Sequence, residues 1–77
     1  MPGIPAIKGH ELLLVLLKAG FYIHHQKGSN ARLFHKTNTW LHITVPVHNK
    51  DLPEKTLRSI LKQANLTDED FLRLMRD

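Results

Sequence analysis

The 77 residues contain no cysteine, so neither a disulfide nor a thiolate metal site can staple this chain. The longest apolar run, Leu12 to Leu17, is far short of the ~20 residues that a spanning helix needs. The N-terminus lacks the ordered charged and apolar regions of a secretory signal, which makes the cytoplasm the expected location, without a membrane anchor. Acids are outnumbered: seven Asp and Glu against eleven Lys and Arg leave a net charge of +4, and six histidines add to it below neutral pH. A small basic chain suits RNA, DNA or an acidic protein surface as partner. The apolar fraction, 42%, is ordinary for a globular protein and argues against disorder. At this length there is room for one core, so residues 1–77 are expected to form a single domain.

Pro2, Gly3 and Pro5 make residues 1–7 an extended, poorly ordered lead-in. A first helix is predicted from about Gly9 to Ala19, ending at Gly20 and lacking a good N-terminal cap. Leu12, Leu13, Leu16 and Ala19 form its core stripe, while Leu14, Val15 and Leu17 widen the apolar surface beyond what one sheet can cover. Leu14 and Leu17 are either harmlessly exposed or part of a protein interface. Three strands follow: Phe21–Lys27, Asn30–His35 after a tight Gly28-Ser29 turn, and Trp40–Val45 after a turn near Asn38, with Pro46 stopping the ladder. A second helix opens at Pro53 with the stripe Leu57, Ile60, Leu61, Ala64 and a left-handed Asn65. Thr67 and Asp70 form a capping box for a short terminal helix, with Leu66 and Phe71 as its hydrophobic staple.

The order implies an α+β fold, α-β-β-β-α plus a short C-terminal helix, with a three-stranded antiparallel sheet covered by helices on one face. Strict alternation sends Phe21, Ile23, His25, Ala31, Leu33, Leu41, Ile43 and Val45 toward the helices. It leaves Tyr22, His24, Gln26, Asn30, Arg32, Phe34, His42 and Thr44 on the other face. That face is polar, basic and aromatic, the character of a surface that contacts phosphates and stacks on bases. It also fits an ordinary solvated sheet.

The histidines do not assemble into a metal pattern. His10-Glu11 begins like a metalloprotease helix motif, but Leu14 stands where the second histidine belongs. His24 and His25 are adjacent on a strand, and His35, His42 and His48 have no ligand-like spacing. Ser29 and Ser59 lack a nucleophile signature, and Asp68, Glu69 and Asp70 are explained by a helix dipole. What remains is the basic turn Lys27-Gly28-Ser29 leading into Arg32, where a glycine admits a backbone between two cations.

Several segments resemble the HicA-type mRNA interferase toxins. They are Gly20-Phe21, Gln26-Lys27-Gly28-Ser29-Asn30-Ala31-Arg32-Leu33, Thr44-Val45-Pro46-Val47-His48, Asp51-Leu52-Pro53 and Thr56 to Ala64, in the family's order from about Lys8 to Leu74. The resemblance implies a double-stranded-RNA-binding-like fold. It also implies metal-free cleavage of mRNA without a cofactor, and inhibition by a HicB-type antitoxin. In the family, Gly-Ser is followed by the histidine regarded as catalytic, and here that position holds Asn30. On this reading Lys27, Gly28, Ser29 and Arg32 contact RNA phosphates, Tyr22 or Phe34 stacks on a base, and His24 and His42 are auxiliary proton carriers.

Metal-free RNA cleavage needs one group to take the 2′-hydroxyl proton and another to protonate the leaving oxygen. An imidazole does either near neutral pH, whereas an Asn amide does neither. Three accounts of Asn30 fit the sequence: a substitution that silences a toxic chain, a natural variant that binds without cutting, or activity transferred to another histidine. The competing functional classes are a non-catalytic RNA-binding module and a protein whose main partner is an acidic antitoxin.

Overall fold

In the computed structural model, which describes residues 3–77, the periodicities of the chain resolve into six elements. They are α1 (Gly9–Lys18), β1 (Phe21–Lys27), β2 (Asn30–His35), β3 (His42–Pro46), α2 (Glu54–Gln63) and α3 (Asp68–Arg76). The strands form one antiparallel sheet in the order β1-β2-β3, giving the α+β architecture expected. Met1 and Pro2 of the expected lead-in lie outside the described residues.

One face of the sheet is sealed. Ala31, Leu33, Ile43 and Val45 are buried against Leu12, Val15 and Leu16 of α1 and Leu57, Ile60 and Leu61 of α2. Burial of these apolar side chains supplies the main driving force for folding. Phe71, fully buried, fastens α3 to the same core. The Thr67–Asp70 box is formed in both directions at 3.0 Å, and Asn65 is left-handed with φ 60°. Gly20 is left-handed too (φ 101°), and a Cβ there would lie 2.7 Å from Nε2 of His35.

Several expectations are corrected. Val15 is buried and α1 stops at Lys18. Pro53 stands just before α2, at its N-cap. The lead-in is not loose at Ile7, which packs into the core (2% exposed) and whose carbonyl accepts from Leu52 N–H (2.9 Å). This long-range pairing has no local sequence signal. β3 starts at His42, since Leu41 N–H closes the preceding loop onto the Asn38 carbonyl; Trp40 stands in that loop, 73% exposed. Pro46 is the last residue of the ladder, paired with Asn30, so β3 runs one residue past the expected Val45, and Val47 N–H donates to Ser29 O just beyond it. Ile23 lies on the helix side opposite Leu33, but on an edge strand outside the helices' cover it is 41% exposed. Leu14 and Leu17 remain at the surface.

Candidate nucleic-acid interface

Lys27 and Asn30 face each other across the two-residue loop Gly28-Ser29. Gly28 has φ 60° and Ser29 is not left-handed, the arrangement that a type II′ hairpin turn requires and that favours glycine first. A Cβ on Gly28 would meet nothing within 4 Å, so the turn backbone is open to an approaching ligand. Asn30 pairs with Lys27 on one side and Pro46 on the other, at the end of the central strand, and is exposed. The Pro46 carbonyl is pressed on by α1: a Cβ on Gly9 would sit 2.0 Å from it. The helix start and the end of the sheet beneath Asn30 are thereby locked together.

β1 carries a bulge. Ile23 opposes Leu33 and His25 opposes Arg32, so two steps on β1 match one step on β2 and His24 is the extra residue. Alternation is reset at that point. His25 moves to the face of Arg32 and Asn30, and Gln26, opposite Ala31, moves to the helix side; both were expected the other way. His24 keeps its expected face, where its ring lies on Phe34 with centroids 4.0 Å apart and planes 9° from parallel. Tyr22 and His42 approach Phe34 edge-on or tilted. One face of Phe34 is thus already covered, and Tyr22 and His24 form the outer part of the aromatic cluster.

The expected site residues therefore divide into two groups. Lys27, Gly28, Ser29 and Asn30 gather at the turn, joined by His25. Tyr22, His24, Phe34 and His42 gather about 13 Å away along the strands, four residues at ~3.3 Å each. Arg32 stands between the groups. It opposes His25 on β1 and Thr44 on β3, and its Nη2 donates to Nδ1 of His42 at 3.1 Å. Guanidinium nitrogens only donate, so His42 accepts at Nδ1 and carries its proton on Nε2.

His35 has a different task. Its Nε2 donates to the Ala19 carbonyl at 3.0 Å, while Nδ1 accepts from Thr37 and Asn38 N–H at 3.2 and 3.1 Å. Phe21 packs edge-on against its ring. It pins the end of α1 to the β2–β3 loop and is a structural residue.

The electrostatics of the open face come from what surrounds it. No Asp or Glu occurs between Glu11 and Asp51, a span that holds the whole sheet together with Lys27, Arg32, Lys36 and five histidines. This signal was available in the sequence and is more specific than net charge. Among the described residues, every ion pair lies off the sheet: Lys8–Asp51, Arg58–Glu54, Arg58–Asp68 and Arg73–Asp70. The two shifted groups are there as well. Hydrogen bonds to Glu54 and Asp68 raise the Arg58 guanidinium further. The Thr67 backbone N–H, aided by the Thr67 side chain and Arg73, holds the Asp70 carboxyl below the usual range. Lys27 and Arg32 thus face solvent with no carboxylate neutralising them, as polyanion contacts require. Among the described residues no three His, Asp or Glu side chains are grouped to hold a metal ion, and no helix is long and apolar enough to cross a membrane.

Chemically, the turn offers an open backbone, a lysine and an amide, with an arginine and an imidazole beside them. These groups can bind a phosphodiester. Residue 30 as asparagine can donate or accept a hydrogen bond there but cannot carry a proton between atoms. Residues 9–66 match the family model described as HicA toxin of bacterial toxin–antitoxin. No curated protein matches the chain.

Proposed function

The chain belongs to the HicA toxin family, the toxin side of bacterial toxin–antitoxin pairs, and we propose that it is built as an endoribonuclease acting on mRNA. The observation that carries this reading is the acid-free sheet face, where Lys27, Arg32, His25 and residue 30 converge around an open turn. RNA lies across that face. Lys27 and the Gly28-Ser29 backbone hold one phosphate, Arg32 holds the next, and Tyr22 with the His24–Phe34 stack receives a base. The reaction is an attack of a 2′-hydroxyl on its own 3′-phosphorus. The new 2′-O–P bond gives a 2′,3′-cyclic phosphate, and the P–O5′ bond breaks to leave a 5′-hydroxyl. Residue 30 occupies the place of a proton carrier in this scheme. With asparagine there, the grip is kept and the proton transfer at residue 30 is lost, which lowers the rate by about 10²–10⁴.

Asn30 itself supports a second reading, in which the chain is a non-catalytic RNA-binding module that has no cutting centre even with a histidine at position 30. An Asn30→His variant separates the two. The first reading expects cleavage of single-stranded RNA, and growth arrest on expression, from the variant and not from the parent. RNA binding by both with cleavage by neither supports the second. On either reading the partner is an acidic antitoxin of HicB type that covers the basic face, and both act in the cytoplasm, where mRNA is found.

A further inference from the structure

We propose that His25 is the second proton-transfer residue of this centre, acting on the same phosphodiester as residue 30. The proposal rests on the endoribonuclease reading and names the partner that its chemistry needs. Cleavage moves two protons, one off the 2′-hydroxyl and one onto O5′, and a single histidine at position 30 supplies one of these transfers at a time.

The bulge at His24 singles out His25. Without the inserted residue His25 faces the helices; with it, His25 opposes Arg32 on the open face. Two residues further along, Lys27 opposes Asn30, so His25 and Asn30 are diagonal neighbours across β1 and β2. Such neighbours have Cα atoms about 7–8 Å apart. Side chains that rise from one face at that spacing can both reach a phosphate lying over them by hydrogen bonds of about 2.8 Å.

Of the other five histidines, four are committed or remote, and His48 is the rival. The His24 ring is stacked on Phe34, and His42 is tied by Nδ1 to Arg32 at the far end of the face. Both ring nitrogens of His35 are occupied. His10 contacts Asn49; His48 accepts at Nδ1 from Lys50 N–H and lies past the end of β3, off the ladder that carries His25 and residue 30, although its neighbour Val47 reaches Ser29 O. His25 is exposed and makes no side-chain hydrogen bond or ring contact among the described residues. The groups around it are Arg32 across β2, Lys27 on its own strand and Asn30 on the diagonal, with Thr44 and His42 beyond Arg32 on β3. No carboxylate lies on any of the three strands, and α1 and α2 pack on the opposite face.

The test uses single-stranded RNA cleavage by the Asn30→His protein, with and without His25→Gln. Adding His25→Gln is expected to lower kcat by about 10²–10⁴, leave KM within a few-fold because Lys27 and Arg32 remain, and abolish one limb of a bell-shaped pH–rate profile. The limb that is lost identifies His25 as acid or base. His10→Gln, on α1, is expected to leave the profile intact. If the double variant, folded by circular dichroism, keeps both limbs and a rate within a few-fold of Asn30→His, the role of His25 is overturned while the endoribonuclease reading stands. If Asn30→His itself cuts no RNA, both are overturned.

Discussion

Arg32 on β2 donates through Nη2 to Nδ1 of His42 on β3, 3.1 Å away, so the one arginine of the open face is held across two strands. The bond uses one of its five N–H groups and leaves the rest of a fixed guanidinium for phosphate. Arg32→Ala is expected to weaken binding of single-stranded RNA and to reduce the salt slope of log K by roughly 0.7, the loss of one phosphate contact. Arg32→Lys keeps the charge and loses the fork, so its slope stays near the parent's while affinity still falls. Titration by fluorescence anisotropy at several salt concentrations separates the two effects.

Leu14 and Leu16 are two positions apart on α1 with opposite fates, 57% and 0% exposed. Leu16→Ala is expected to cost about 2–5 kcal/mol by emptying the core. Leu14→Ala is expected to change stability by about 0.5 kcal/mol or less, as surface substitutions do. Urea unfolding measures both. A large cost at Leu14 would mean that its side chain packs in solution where this structure leaves it open.

Gly9 sits where a Cβ would lie 2.0 Å from the Pro46 carbonyl. Gly9→Ala must push α1 away from the end of β3, which is expected to cost about 1–3 kcal/mol. Because Pro46 pairs with Asn30, the same variant is expected to disturb the turn, visible as chemical-shift changes at Ser29 and Asn30. Gly28→Ala meets no neighbour and bears only the left-handed backbone, a cost of roughly 1–2 kcal/mol.

The cap of α3 gives a pH dependence. Asp70 accepts from Thr67 N–H, and its carboxyl is held below the ordinary value. A depressed carboxylate contributes stability above its unfolded pKa of about 3.9 and loses it as pH falls through the folded pKa. Asp70→Ala is therefore expected to melt earlier than the parent at pH 7, with the difference shrinking below about pH 4. Thermal melts from pH 7 to pH 2 check this; a difference independent of pH would contradict the role of the charge.

Much of the frame was legible from local patterns. The Leu57–Ile60–Leu61–Ala64 stripe, the Thr67–Asp70 box and the Gly28-Ser29 turn each follow from chemistry within a few residues. The candidate site was legible only in part. A bulge adds a residue without changing composition, so alternation carried His25 to the wrong face and Gln26 with it. Ile7 and Leu52 are joined by a bond between distant segments, which periodicity does not register. Trp40 suits a strand by residue type, yet the loop hydrogen bond from Leu41 N–H to the Asn38 carbonyl excludes it. The acid-free interval from Glu11 to Asp51 was open to view in the sequence, and it localises the positive charge to the sheet better than the total charge does.

The central claim is that the open face carries an RNA-cleaving centre at residue 30. Its most direct measurement is an analysis of RNA ends after incubation of a defined mRNA with the parent chain and with Asn30→His. The account predicts an intact transcript with the parent, and fragments with 2′,3′-cyclic phosphate and 5′-hydroxyl ends with the variant. An intact transcript in both, with RNA still bound, would contradict it.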